Sequence, residues 1–218
     1  MKKFYYKNIL FFNQNIMKKF FSVLTVLGIL FTSFVSAYTP EELLSANNLA
    51  KKGIIKNHIS DPENYHLDDP VLRQEIALIS RRVSWIKENK TCKNIFADVT
   101  ATKPNTWVCK NVEALVEHNL ISKNKYFNPE RNISKSEALI MFIKSIGFPE
   151  FEIKDPKNWQ KEVVDFAVKN WVVEKFNDYN AEAKRWWIFK IADYSIKEKE
   201  KRIKAGTWKK KKISDEAL

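Results

Sequence analysis

The stretch WVCKNVEALVEHNLIS, residues 107–122, contains the pattern that decides the fold. Its apolar residues at 112, 115 and 116 precede Asn119 by 7, 4 and 3 positions, which places them on one face of a helix. Asn119 tolerates a positive φ and therefore suits the turn that ends such a helix. Two aliphatic residues, Leu120 and Ile121, follow the turn.

The same pattern of helix, turn and aliphatic pair occurs twice more, ending at residues 53–55, GII, and at residues 171–173, WVV. Downstream of each copy come an aromatic residue and, eight positions later, a cation that begins a second apolar helix. Ser134 and Glu137 predict a capping box at the second of these helices. The sequence therefore predicts three units of helix, loop and helix, with the aromatic–cation pairs Tyr65 and Arg73, Phe127 and Lys135, and Phe176 and Lys184.

The third copy departs from the pattern at its turn. Trp171 stands where the other copies have Gly53 and Asn119. A bulky residue at positive φ is strained, so we expect a strained turn at residue 171.

The N-terminal segment has the features of an export signal. Residues 18–37, KKFFSVLTVLGILFTSFVSA, combine a basic start, an uncharged stretch and small residues before a cleavage point after Ala37. The uncharged stretch is shorter than the roughly 18–20 residues of a bilayer span. Residues 1–37 are therefore interpreted as a signal peptide whose cleavage leaves no stable membrane span, with retention as an anchor as the open alternative. Because Met17 begins a normal signal on its own, residues 1–16 are either part of the signal peptide or an upstream misassigned start.

The net positive charge is concentrated near the two ends of the chain. The whole chain carries +12, of which residues 1–37 supply five lysines and residues 197–212 supply +7. Residues 213–218 contribute −2, so residues 38–196 carry only +2, which argues against nucleic acid as a partner. We interpret residues 197–218 as a basic tail that either contacts anionic polymer or lipid headgroups or is a solvated helix end.

Composition and motif content exclude several classes of protein. The 44% of hydrophobic and 13% of aromatic residues are enough for a packed core, which excludes a disordered chain. Cys92 and Cys109 are either a disulfide, which export permits, or two free thiols. The sequence has no metal-ligand spacing, nucleotide-binding loop or catalytic motif, so we predict no metal, no cofactor, no catalytic residue and no enzyme activity.

The repeated motifs resemble those of the S-layer homology domain. Units of that family run F-x-D-V, a Trp, an A-x-x-x-G-I-I turn, F-x-P and a T-R-A-E-like motif that opens a second helix. The first unit here has GII at 53–55 and LRQE at 72–75, and the third keeps mainly the spacing. The second unit has the best correspondence, with FADV at 96–99, Trp107, NLIS at 119–122, FNPE at 127–130 and ISKSE at 133–137.

The resemblance implies an all-α, mostly helical fold in which three units form a pseudo-threefold spindle with grooves between neighbouring units. The units would span residues 38–90, 91–147 and 148–196, the third being degenerate, and residues 197–218 would follow as the basic tail.

The resemblance also implies a function. Grooves of this family bind anionic cell-wall polysaccharide, often pyruvylated, and so hold an exported protein on the bacterial surface. Arg73 and Lys135 occupy the position of the family's ligand-contacting arginine. Lys184 has the matching spacing in the third unit, and Arg185 beside it is an equal candidate.

Further expectations concern how such a groove would work. A cation in the first helical turn lies near free backbone amides, so both could address one anion. Trp107 and Trp159 are either platforms for sugar stacking or packing residues of the core. The alternative function is a structural or adaptor protein that uses the same units for contacts with other surface proteins.

Overall fold

The chain forms six α-helices in the part described by the computed structural model, which is residues 38–170 and 172–208. This part contains isolated β-bridges but no strand, so the predicted all-α class is confirmed. The proposed signal, residues 1–37, and the turn residue Trp171 lie outside the described residues. The helices are α1 (Pro40–Lys51), α2 (Arg73–Val83), α3 (Val108–Glu117), α4 (Lys135–Ile146), α5 (Trp159–Lys169) and α6 (Arg185–Lys204), and a short 3-10 helix, Pro62–Tyr65, precedes α2.

Local capping explains where α2 and α4 begin. The Ser134 hydroxyl accepts a hydrogen bond from the Glu137 amide at 3.3 Å, and the Glu137 carboxylate accepts one from the Ser134 amide at 3.1 Å. At α2, the Glu75 carboxylate accepts the Leu72 amide at 2.9 Å. These bonds satisfy amides that a helix start leaves without a helical partner. The predicted capping box at Ser134 and Glu137 is therefore confirmed.

The first helix of each predicted unit packs on the second helix of another unit. Helix α3 packs on α2, α5 packs on α4, and α1 packs on α6, while α2, α4 and α6 contact one another at the centre. Each first helix thus buries its apolar face on a second helix that is not its own partner in the predicted unit. The central helices bury large apolar side chains, including Ile76, Leu139, Phe142, Ile143, Ile188 and Ile191.

A closed ring of backbone hydrogen bonds joins the segments that precede the three central helices. The Val71 amide donates to the Ala183 carbonyl at 3.1 Å, and the Ala183 amide donates to the Ile133 carbonyl at 2.9 Å. The Ile133 amide closes the ring by donating to the Val71 carbonyl at 2.9 Å. All three residues are buried, so the ring satisfies polar groups that water cannot reach.

The segment that we interpreted as a basic tail is in large part folded. Helix α6 continues to Lys204, and Lys199 within it is only 1% exposed. The Lys199 ammonium donates to the Ser84 carbonyl at 2.7 Å and lies 4.4 Å from the ring centroid of Trp85 and 5.0 Å from that of Trp208. These contacts replace the hydration of the buried charge.

A second cation of this segment is also held against the body. The Arg202 guanidinium lies 4.0 Å from the ring centroid of Phe148 and pairs with Glu198 at 3.0 Å. The alternative of a solvated helix end is therefore wrong for Lys199 and Arg202, whereas Lys197, Lys201 and Lys204 of the same helix are exposed. Residues 209–218 lie outside the described part of the chain.

Two cysteines tie the loop before α3 to that helix. Cys92 and Cys109 are joined in the structure, and their Cα atoms are 5.7 Å apart. Fully buried Glu113 holds the same loop, since its carboxylate accepts the amides of Lys93 at 2.7 Å and Ile95 at 3.0 Å.

The turn after α2 contains a tryptophan, Trp85, in a backbone conformation that favours glycine. Trp85 has a φ of 60°, and Gly53 has a φ of 70° at the corresponding position after α1. The Trp85 amide donates to the Arg82 carbonyl and the Ile86 amide to the Arg81 carbonyl, both at 3.1 Å. This is the Schellman arrangement, and a left-handed conformation costs a side-chain-bearing residue roughly 1–2 kcal/mol.

The free energy of unfolding of Trp85→Gly should be about 1 kcal/mol higher than that of Trp85→Ala. Both variants lose the ring contacts, but only alanine is strained in the left-handed backbone conformation. Urea unfolding followed by circular dichroism measures the difference. Lys51, in the last turn of α1, provides a control of opposite sign, since there glycine should be less stable than alanine. Equal free energies for the two Trp85 variants would contradict the strain argument.

Candidate functional site

Each central helix begins with a cation in its first helical position. Arg73, Lys135 and Arg185 begin α2, α4 and α6, whereas Lys184 is the N-cap of α6. The loop after Phe176 is one residue longer than the corresponding loops, which shifts the third cation from the predicted spacing to Arg185. Their amides are bonded alike, since each donates at 2.9 Å to a carbonyl of another loop: Arg131 for Arg73, Ala181 for Lys135 and Asp69 for Arg185.

These same bonds correct the expected role of the backbone. The amides at the second helical positions, Gln74, Ser136 and Trp186, also donate to loop carbonyls, at 2.9, 3.3 and 2.8 Å. The expectation of free amides beside the cations is therefore wrong at the first two positions of each central helix. Neighbouring loops use these donors, so an anion at this site would be bound by side chains.

Arg73 lies at the first junction, which is the contact between α2 and α4. Its Nη1 donates to Glu137 Oε1 at 2.9 Å, and its guanidinium lies 5.0 Å from the ring centroid of Phe127. The side chain is 19% exposed, and its Nε is buried without a hydrogen-bond partner. Burial lowers the pKa of Arg73, although the adjacent Glu137 carboxylate opposes this change.

A second guanidinium shares the same carboxylate. Arg131 Nη2 donates to Glu137 Oε1 at 2.6 Å, the oxygen that Arg73 also uses. Asp98 adds an attractive charge near Arg73, but its carboxylate accepts the amides of Phe127 at 2.8 Å and Asn128 at 2.7 Å. The two guanidinium groups therefore share one ion-paired carboxylate, Glu137, and Asp98 is an opposite charge nearby that forms no ion pair with them.

Lys135 lies at the second junction, between α4 and α6, and has a different environment from Arg73. Its ammonium lies 5.5 Å from the ring centroid of Phe176 and 5.8 Å from that of Trp187. Trp187 is the third residue of α6, the position at which α2 and α4 have Glu75 and Glu137. Within the described residues Lys135 forms no ion pair, so aromatic rings replace a carboxylate at this junction.

The cations of the third junction, between α6 and α2, are paired one for one. Arg185 Nη2 donates to Glu75 Oε1 at 3.1 Å, and Lys184 Nζ donates to Asp68 Oδ1 at 3.2 Å. The buried Nε of Arg185 lacks a hydrogen-bond partner, as that of Arg73 does. The third junction therefore has less uncompensated charge than the other two.

The two predicted tryptophans lie apart from these cations. Trp107 and Trp159 are half-buried and pack against the hydrophobic core. In the described part of the chain, no cation–ring contact joins either of them to the three helix-start cations. The rings that do contact such cations are Phe127, Phe176 and Trp187. The eight-residue spacing had marked the two phenylalanines, but only as landmarks for the repeat.

The loop before α3, the loop after it and the start of α4 thus supply Asp98, Phe127, Arg131, Lys135 and Glu137 from one continuous segment. Residues 95–139 match the S-layer homology domain. Domains of this family are anchoring modules of cell-surface proteins that bind cell-wall polysaccharide. No curated protein matches the chain. Arg73 lies outside the matched segment and reaches into it through Glu137.

The described residues lack two further features, a helix that could span a membrane and a cluster of metal ligands. None of the helices in residues 38–170 and 172–208 is both long and apolar enough to span a membrane. Over the same residues, no group of three His, Cys, Asp or Glu side chains is arranged to hold a metal ion.

The central carboxylate of the S-layer homology segment makes stability depend on pH. Burial raises the pKa of Glu137, but hydrogen bonds from Arg131 and the Ser134 amide, with the charge of Arg73, hold it below its ordinary value of 4.5. A lowered folded-state pKa stabilises the fold above the unfolded-state value, and this contribution is lost as the pH falls through the folded-state value.

We therefore expect the melting temperature of the wild type to fall more steeply than that of Glu137→Gln as the pH is lowered from about 5 to about 3. Differential scanning fluorimetry measures both profiles. Glu130→Gln is the control. It removes an exposed carboxylate from the loop that precedes α4, and its melting-temperature profile should match that of the wild type. Parallel profiles for Glu137→Gln and the wild type would contradict the argument.

Proposed function

We propose that this chain is an exported bacterial cell-surface protein that binds anionic cell-wall polysaccharide through three tandem S-layer homology repeats. The observation that carries the proposal is the set of incompletely neutralised cations, Arg73, Arg131 and Lys135, around the matched segment 95–139. The cyclic helix packing and the corresponding hydrogen bonds at Arg73, Lys135 and Arg185 support the interpretation as three repeats. An export signal at residues 1–37 would bring such a module to the surface.

The two junctions suit different parts of an acidic glycan. At the first junction, the partly exposed guanidinium of Arg73 lies next to that of Arg131, which shares its carboxylate. Guanidinium groups bind carboxylates and phosphates bidentately. At the second junction, Lys135 provides a point charge beside the half-buried ring of Phe176, which offers an apolar surface for a sugar ring. An acidic substituent, such as a pyruvate ketal or a phosphate, would complement both cations.

Arg73 and Lys135 are accordingly the principal contacts of the proposal, and Arg185 with Lys184 contributes less because Glu75 and Asp68 already neutralise them. Trp107 and Trp159 are proposed as packing residues. The proposal requires no cofactor and no catalytic residue, and the polysaccharide is its only ligand.

One observation favours a second candidate function. The one-for-one ion pairs of the third junction, Arg185 with Glu75 and Lys184 with Asp68, leave a face suited to contacts with another surface protein. In this alternative the chain is a structural or adaptor protein that uses its repeats for protein–protein contacts.

Sedimentation with purified cell-wall sacculi separates the two functions. The chain from Tyr38 onward is mixed at physiological salt with sacculi that retain their anionic secondary polymer and with sacculi stripped of it. We expect sedimentation with the intact sacculi and not with the stripped ones. Equal recovery with both, or with neither, would rule out the polysaccharide function and leave the protein-contact function in its place.

A further inference from the structure

A pocket of about 470 Å³ lies where α1 and α2 end, against the second half of α6. Its walls include the side chains of Lys52, Arg81, Arg82, Trp85, Lys87 and Glu200. Helix α2 has 11 residues, so its length of roughly 15 Å separates this pocket from Arg73 at the other end. The pocket is therefore distinct from the helix-start cations, and its volume is within the range of small-molecule sites.

The charge of the pocket is strongly positive. Its lining has four cations and one carboxylate, which leaves a net charge of +3. The carboxylate, Glu200, is paired with Lys52 at 2.8 Å, and Glu88 adds an attractive charge near Arg81. Cations at the end of a helix favourably face its negative dipole, but this effect does not explain why four of them surround one cavity.

Two of these cations are fixed by the fold. Arg82 Nη1 donates to the Ile54 carbonyl at 2.7 Å, and Arg81 donates to the Ile86 carbonyl and to the Asn111 side chain. A guanidinium has five N–H donors, so one bond to a carbonyl positions Arg82 and leaves donors for a ligand. A positioned donor loses little conformational entropy when an anion binds.

The same pocket contains an exposed aromatic ring. Trp85 is 51% exposed and is held at a φ of 60°, while the buried ammonium of Lys199 lies 4.4 Å from its ring centroid. Strained residues persist where the surrounding structure fixes them, and they are concentrated at binding sites. An exposed indole ring offers an apolar face of the size of a sugar ring beside the cations.

We propose that this pocket binds an acidic sugar, a pyranose that carries a carboxylate or a phosphate. The sugar ring packs on Trp85, and the anionic group binds Arg82 with Lys52 or Lys87. The proposal does not involve Arg73 or Lys135, so it holds or fails separately from the wall-binding function.

Titrations followed by the ¹⁵N indole resonances of the chain from Tyr38 onward test the proposal. The probes are D-glucuronate and glucose 6-phosphate, with glucose as the uncharged sugar and inorganic phosphate as the anion without a ring. The resonance of Trp85 is assigned by its loss in Trp85→Phe. We expect the Trp85 signal to shift with at least one acidic sugar, and glucose and inorganic phosphate each to bind about tenfold more weakly, since each lacks one of the two contacts. A response to only one acidic sugar identifies the anionic group.

Variants separate this pocket from the rest of the surface. Lys52→Gln combined with Lys87→Gln should weaken binding of the acidic sugar about tenfold, whereas Lys56→Gln, at an exposed lysine outside the pocket, should not. Trp85→Gly, which lacks the probe resonance, should lose sugar binding in isothermal titration calorimetry while keeping the helical circular dichroism signal. A silent Trp85 resonance with both acidic sugars, or equal affinities for acidic sugar, glucose and phosphate, would overturn the proposal. Equal affinity in the double lysine variant and the wild type would also overturn it.

Discussion

Replacing Arg73 and Lys135 together by alanine should lower the affinity for intact sacculi by about a hundredfold or more at physiological salt. Loss of one hydrogen-bonded charge contact costs about 1.5–3 kcal/mol, and each 1.4 kcal/mol corresponds to about tenfold in affinity. The two residues lie at different junctions, between α2 and α4 and between α4 and α6, so their contributions should be nearly additive. Binding isotherms from sedimentation measure the effect.

The controls for this experiment follow from the ion pairs. Lys184→Ala with Arg185→Ala removes the same charge from the third junction, where both cations are paired one for one, and should reduce binding much less. Because Arg73 also packs on Phe127, its replacement should lower the melting temperature moderately, and both double variants need a thermal melt beside each isotherm. A folded Arg73→Ala, Lys135→Ala protein that binds sacculi as well as the wild type would refute the proposed contacts.

Removing the link between Cys92 and Cys109 should lower the free energy of unfolding by about 3 kcal/mol, because a cross-link that closes a loop of about this length removes that much chain entropy from the unfolded state. The sequence separation is 17 residues. Urea unfolding with and without a reducing agent measures the change. For a domain of this size the loss corresponds to a decrease of roughly 6–12 °C in melting temperature.

A cysteine-free variant, Cys92→Ser with Cys109→Ala, provides the control for the reducing agent, to which it should be insensitive. Alanine is chosen at position 109 because that side chain is fully buried and a hydroxyl group there would lack a partner. Mass spectrometry of non-reduced peptides from protein collected at the cell surface should show the two cysteines linked. Two alkylatable thiols in that material would refute the pairing.

Local sequence signals were sufficient to predict the starts of α2 and α4. Apolar periodicity sets the buried faces, and the capping box at Ser134 and Glu137 fixes the first turn of α4. The positive φ expected at Gly53 and Asn119 is present at both residues. These features depend on residues within one helical turn of each other, so a sequence without a structure already contains them.

Other features depend on residues that are distant in sequence. The start of α6 shifted from Lys184 to Arg185 because of one extra loop residue, which spacing from Phe176 could not detect. The sequence motif identifies Lys135 and Glu137. The residues around them in the sequence do not indicate that Glu137 pairs with Arg73 or that Lys135 lies near Trp187. Burial of Lys199 depends on a carbonyl 115 positions earlier. Such pairings become visible only when the helices are assembled.

The exchange of helices between pairs determines the order in which the chain can fold during synthesis. Helix α1 packs on α6, and the ring of hydrogen bonds through Val71, Ile133 and Ala183 needs all three segments. When the ribosome has completed only α1 to α4, the apolar face of α1 has no partner, and the ring cannot close. Native contacts of high sequence separation form slowly and leave apolar surface exposed in the meantime. A chain that lacks α6 therefore leaves the apolar face of α1 without its partner, and the three helix pairs can become stable together only once α6 is present.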